Sequence, residues 1–220
     1  MTVPVKVCGI TRLEDARAAL KFGAQALGFI FYPPSPRNLS PDQAAALARA
    51  LGGGVTKVGV FVDERPEEIN RIAALCDLQM IQLHGGEPPE LLAELERPAY
   101  RAFRIEREED LAVVEAAPDR TVLLDTFEVE RVGGTGKTFH WGWARAIAAN
   151  RRVILAGGLR PENVLLALDE VAPAGLDVST GVESAPGLKD AAKIAALFRA
   201  LSDYPFSPPS PWGANHASAK

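Results

Sequence analysis

Cys8 closes the run Val5-Lys6-Val7-Cys8 and is followed at once by Gly9, so it stands where a strand gives way to a loop. A thiol there has two uses: packing as a small hydrophobe, or chemistry through its thiolate. Taken alone, a single cysteine in an apolar strand reads as packing. Other chemistry-bearing residues stand at comparable places. Asp125 lies near the end of Thr121-Val122-Leu123-Leu124-Asp125-Thr126, His84 ends Met80-Ile81-Gln82-Leu83-His84, and Arg37 follows the Pro-rich loop after an apolar run. Two glycine turns, Gly157-Gly158 and Thr180-Gly181, follow the last two apolar runs. Glycine lets backbone N–H groups close on phosphate oxygens at a helix N-terminus, although such turns also serve simply as tight connections.

For these residues to act together, the elements carrying them must converge. Eight apolar runs are predicted as strands: 5–8, 26–31, 57–62, 80–84, 100–105, 121–126, 152–156 and 176–179. Helical patterns separate them. The first is marked by Leu13, Ala16, Ala19 and Leu20, with Thr11 as a candidate cap and Gly23 as a stop. Ser40-Pro41 opens a second, as an N-cap followed by Pro at the first helical position. Further helices are predicted over 66–76, 88–95, 108–116, 141–149, 161–168 and 189–201. The strands are nearly continuous in apolar character, which implies burial on both faces and a parallel sheet. Eight strand–helix alternations fit a (β/α)8 barrel. A doubly wound open sheet would carry a G-x-G-x-x-G turn after its first strand, which Cys8-Gly9-Ile10-Thr11 is not. In a barrel the strand C-termini share one rim, so Cys8, Arg37, His84, Asp125, Gly157, Gly158, Ser179 and Gly181 gather at one mouth, with the last two turns where many barrels hold phosphate.

Composition sets limits on partners. The chain has 220 residues, 47% hydrophobic and 24% charged, with a net charge of -4 and a pI near 5.5. This argues against nucleic acid or an anionic membrane as a partner, and no apolar run reaches the ~20 residues of a membrane span. Two cysteines and no secretory segment indicate a cytoplasmic protein, and His84, His140 and His216 offer no metal-ligand spacing. A barrel domain over 1–201 is expected, followed by a Pro-rich tail over 202–220 that reads as disordered or loosely docked. The segment Gly133-Gly134-Thr135-Gly136-Lys137-Thr138 ends like a phosphate-binding P-loop, but Arg131 stands where the first glycine belongs. A lid over the mouth and a plain solvated loop remain its two readings.

The motifs Lys6-Val7-Cys8-Gly9-Ile10-Thr11-Arg12, Ser35-Pro36-Arg37, Gln82-Leu83-His84-Gly85, Leu124-Asp125-Thr126, Gly134-Thr135-Gly136-Lys137, Ala156-Gly157-Gly158-Leu159 and Asp177-Val178-Ser179-Thr180-Gly181-Val182-Glu183 closely resemble those of phosphoribosylanthranilate isomerases. The resemblance runs in the family's order from about residue 5 to 198. It implies an Amadori rearrangement of N-(5-phosphoribosyl)anthranilate without a cofactor, with Cys8 as general base and Asp125 as general acid. It further implies that Arg37 pairs with the anthranilate carboxylate, and that the substrate's phosphate sits at Gly158, Ser179 and Gly181, beside Gly157. His84 is either a substrate-orienting group or a satisfied rim residue. Such a base should favour its thiolate, and Lys6 and Arg12 are the nearby cations in sequence. The chain departs from the family at Phe139-His140-Trp141, where Phe-Asp-Trp is usual, so a helix cap is in doubt, and again in its long tail.

The resemblance implies a small phosphosugar as partner; a monomer and a homodimer both stay open, because the surface patches that decide between them are not located by sequence. The alternative is another phosphosugar barrel enzyme of amino-acid biosynthesis. Those of the histidine pathway usually place an Asp on strand one, and indoleglycerol phosphate synthase relies on Lys and Glu at strand ends. Neither pattern is present.

Overall fold

A computed structural model describes residues 2–126, 141–206 and 210–212. Eight parallel strands close into a barrel in chain order: β1 (Val5–Cys8), β2 (Ala26–Phe31), β3 (Thr56–Phe61), β4 (Met80–Leu83), β5 (Ala99–Ile105), β6 (Thr121–Thr126), β7 (Arg152–Ala156) and β8 (Gly175–Val178). The helices α1 (Leu13–Phe22), α2 (Pro41–Leu51), α3 (Pro66–Leu75), α4 (Asp110–Ala116), α5 (Trp141–Ala148), α6 (Val164–Val171) and α7 (Ala191–Leu201) alternate with them. The expected (β/α)8 barrel is therefore present. Ser40 caps α2 through a reciprocal pair with Gln43, and Gly23 ends α1 in the left-handed conformation.

Several elements differ from the sequence expectation, each for a local reason. Between β4 and β5 the chain makes a 3-10 helix over Pro89–Glu94. Gly85-Gly86 before it and Pro98 after it leave too few residues to sustain an α-helix. Thr11 does not cap α1. Its hydroxyl donates to the Gly187 carbonyl, and Arg12 occupies the cap position. α6 starts at Val164 because Arg160 N–H donates to Asn163 Oδ1 in a turn that precedes it. α7 starts at Ala191, capped by Asp190, because a short antiparallel hairpin of β9 (Glu183–Ala185) and β10 (Leu188–Lys189) takes up the residues before it. The Gly-rich segment 133–138 and His140 lie outside the described residues.

Strand register decides what reaches the interior. Successive side chains alternate faces. The outward row, including Val5, Val7, Leu27, Phe29, Leu83, Leu124, Leu155 and Val178, joins the helices in the main apolar core. The inward row is aligned from strand to strand: Lys6 pairs with Ala26 and Asp177, Cys8 with Gly28, Val60 with Gln82, Gln82 with Tyr100, and Asp125 with Arg104 and Ala156. It is apolar toward the N-terminal end, where Ala26, Val58, Leu123 and Ile154 pack with Tyr100 and Trp212. Further up it turns polar. Lys6 and Gln82 are buried, although the strands carrying them read as apolar runs.

Of the segment 202–220, residues 202–206 and 210–212 are described, and Phe206 and Trp212 are buried. Trp212 sits at the N-terminal mouth of the barrel. Its carbonyl accepts from Thr56 Oγ1, Arg152 donates to the Ser210 carbonyl, and Ser210 Oγ donates to Gln25 Oε1.

Candidate active site

At the opposite end, the strand C-termini and the loops after them enclose a cavity of about 630 Å³. All eight residues singled out in the sequence line it: Cys8, Arg37, His84, Asp125, Gly157, Gly158, Ser179 and Gly181. Gln82, Arg104, Arg160 and Asp177 also contribute to its wall. Of these, Gln82 and Asp177 belong to motifs quoted above, but a lone amide or carboxylate inside an apolar run gives no cue to its use. Their inward register does.

Cys8 is the last residue of β1 and is 7% exposed. Gly28, its partner on β2, makes room for it: a Cβ at that position would lie 2.7 Å from Cys8 Sγ. Burial pushes the Cys8 thiol up from its ordinary value, and the nearby ammonium groups of Lys6 and Lys189 only partly oppose this. Burial thus works against the thiolate preference expected from the sequence. Lys6 is committed elsewhere, with Nζ 2.7 Å from Asp177 Oδ2 and 2.8 Å from Gln82 Oε1. Burial works against its charge, but Asp177, with Cys8 and Tyr100, outweighs that and keeps it protonated. Arg12 plays no part here, because its guanidinium is paired with Asp15 and Glu14.

Asp125 stands on β6, three strands away from β1 around the closed barrel. Its Oδ2 is 3.3 Å from His84 Nε2, and both side chains are partly exposed to the cavity. Arg37 reaches the rim from the loop after β2. Its Nε and Nη2 bind Glu183 Oε1 and Oε2 at 2.8 and 2.6 Å, in a bidentate fork. Lys189 Nζ meets the same Glu183 at 2.7 Å. Burial disfavours the Glu183 charge, but these two cations prevail and hold its carboxyl below the ordinary range. Glu183 ends a motif quoted above, but neither its residue type nor that of Lys189 points to a role at the site, since a Glu or Lys near a turn reads as solvated.

The loops after β7 and β8 approach each other closely. A Cβ on Gly181 would overlap the Leu159 carbonyl oxygen, so only glycine permits this contact. Asn163 Nδ2 donates to the Gly158 carbonyl, and Ser179 Oγ donates to the Cys8 carbonyl, tying both loops to the rim. Among the described residues no group of His, Cys, Asp and Glu is arranged to hold a metal ion, and no helix is long and apolar enough to cross a membrane.

The chain as a whole has counterparts among known proteins. The family model for N-(5'-phosphoribosyl)anthranilate isomerase matches residues 5–200. The N-(5'-phosphoribosyl)anthranilate isomerase of Geobacter sulfurreducens is 46% identical over 197 residues, covering 90% of this chain and 97% of its own length. The crystal structure of phosphoribosyl anthranilate isomerase from Thermotoga maritima superposes with a TM-score of 0.84 at 40% identity, over 92% of this chain and 100% of that one. A second, at 38% identity and a TM-score of 0.83, covers 92% of this chain and 100% of its own and contains reduced 1-(o-carboxyphenylamino)-1-deoxyribulose 5-phosphate. A barrel of this layout, matched over nearly its whole length, belongs to the phosphoribosylanthranilate isomerase family.

Proposed function

We infer that the rim cavity isomerises N-(5'-phosphoribosyl)anthranilate to 1-(2-carboxyphenylamino)-1-deoxyribulose 5-phosphate, a step of tryptophan biosynthesis. The observation that supports it most is the common inward row: Cys8 from β1 and Asp125 from β6 face one cavity whose far wall is the pair of glycine loops after β7 and β8. In this reading the loops at Gly157, Gly158, Ser179 and Gly181 hold the phosphate, and Arg37 faces the anthranilate carboxylate. Asp125 protonates the ribose ring oxygen, and the C1–O bond breaks toward that oxygen while the anilino nitrogen's lone pair forms a C1=N iminium. Cys8, as thiolate, takes the C2 proton. The C2–H electrons become a C1=C2 bond, and the C1=N pair returns to nitrogen. The resulting enolamine tautomerises to the ketone, so atoms and electrons balance within one molecule.

Asp177 Oδ1 is buried without a partner among the described residues, a place for a sugar hydroxyl to donate. Cys8 and Cys76 are both free thiols, which suits a reducing cytoplasm. The test follows the fluorescence decay of phosphoribosylanthranilate made in situ. Cys8→Ser and Asp125→Asn are each expected to abolish turnover with substrate binding nearly intact. Wild-type-like turnover in either variant overturns the assigned roles.

A further inference from the structure

Two side chains, Gln82 and His84, connect the buried Lys6 to Asp125, and their chemistry leaves only one arrangement of protons. Lys6 Nζ carries three N–H donors and no acceptor. It is fully buried and lies 2.8 Å from Gln82 Oε1, which also accepts from Tyr100 OH at 3.0 Å. Turning the Gln82 amide over would set its NH2 group against the ammonium, so the oxygen must face Lys6. The NH2 group then faces the other way, and it lies 2.7 Å from His84 Nδ1. An amide NH2 can only donate. Nδ1 must therefore be the bare, accepting nitrogen, and the imidazole proton sits on Nε2, which faces Asp125 Oδ2 at 3.3 Å.

We propose that Gln82 is a positioning residue: anchored by Lys6, it fixes His84 as the Nε2–H tautomer, so that His84 donates to one oxygen of Asp125. This rests on Asp125 acting as the acid, but it concerns a group that touches neither reacting carbon. Lys6 is itself held by Asp177 Oδ2 at 2.7 Å, so the orientation is transmitted from β8 through β1 and β4 to β6. Gln82 and His84 can both take part because they are two residues apart at the end of β4, and so share the inward face. With its proton on Nε2, His84 can donate to Asp125 whether that carboxyl is ionised or carries its proton on the other oxygen. The carboxyl therefore keeps its placement as it gives the proton up.

The experiment labels histidine with 15N and reads the imidazole nitrogens of the full chain without substrate, at about pH 8, where an ordinary imidazole is neutral. The chain has three histidines, and His84→Asn identifies the His84 signals by their loss. The wild type is expected to show a protonated Nε2 and a bare Nδ1. In Gln82→Glu the carboxylate has nothing to donate and accepts from Nδ1–H, so Nδ1 becomes protonated, either with Nε2 bare or with both nitrogens carrying protons between two carboxylates. kcat is expected to fall about tenfold or more while KM changes little. Gln82→Met, of similar shape and without polar atoms, is expected to give a mixture of tautomers and an intermediate kcat. A protonated Nδ1 in the wild type overturns the proposal, whether or not Gln82→Glu folds. So does an unchanged tautomer or unchanged kcat in a folded Gln82→Glu. Because the tautomer is read without substrate, its failure is distinct from a failure of the assigned reaction.

Discussion

Glu183 occupies two of the guanidinium nitrogens of Arg37, Nε at 2.8 Å and Nη2 at 2.6 Å. The carboxylate belongs to the hairpin after β8 and the arginine to the loop after β2, so one ion pair fixes the rim across two distant stretches of chain. The fork fixes Arg37 at the wall of the cavity, where the proposed function has it meet the anthranilate carboxylate.

Removing the charge of Glu183 is expected to cost both stability and substrate binding. Glu183→Gln leaves Arg37 and Lys189 without their common partner, and breaking a buried pair in this way costs about 3 kcal/mol. Urea unfolding checks the stability. In steady-state kinetics KM is expected to rise more than kcat falls. An unchanged or lower KM would mean that Glu183 competes with the substrate for Arg37 instead of preparing it.

The raised pKa of Cys8 makes a pH prediction with a definite sign. Burial favours the neutral thiol, so the reactive thiolate is scarce near neutrality and increases with pH. Alkylation by iodoacetamide is expected to be slower than for a free cysteine at neutral pH and to reach its midpoint above the ordinary thiol range, with kcat/KM rising over the same alkaline limb. The measurement is cleanest in a Cys76→Ala background, although Cys76 is itself pushed up to about 11 by burial. An alkylation rate that has already levelled off at neutral pH would show a resident thiolate.

The Pro-rich extension is expected to contribute to stability without contributing to catalysis. Trp212 is 5% exposed against Tyr100, Leu123 and Ile154 at the N-terminal mouth, with the catalytic rim at the other end of the barrel. Trp212→Ala is expected to destabilise the fold by about 3–5 kcal/mol. kcat under folding conditions should stay near that of the wild type. Thermal unfolding followed by circular dichroism decides it, and an unchanged midpoint would mean that the indole leaves its seat in solution.

Much of this protein is legible along the chain. Apolar runs bounded by glycine and proline mark eight strands, and their continuous character implies a parallel sheet, because burial on both faces leaves no polar row for periodicity to detect. Ser40-Pro41 and Gly23 act through their nearest neighbours, so capping chemistry alone predicts them. Thr11 and the stretch 88–95 depart from their local patterns because long-range partners and loop length, respectively, decide them. Cys8, Asp125 and the glycine loops stood out by lying at strand ends, where barrel geometry gathers residues. The reciprocal network around them did not. Whether Lys6, Gln82 and Asp177 face inward or outward depends on register, and a shift of one residue would reverse it. The pairing of Arg37 with Glu183, 146 positions later, depends on barrel closure. The elements and the rim residues are thus set by local pattern, whereas tertiary structure alone determines which buried charges around the cavity neutralise one another and which way each proton there points, because buried electrostatics acts between neighbours in space.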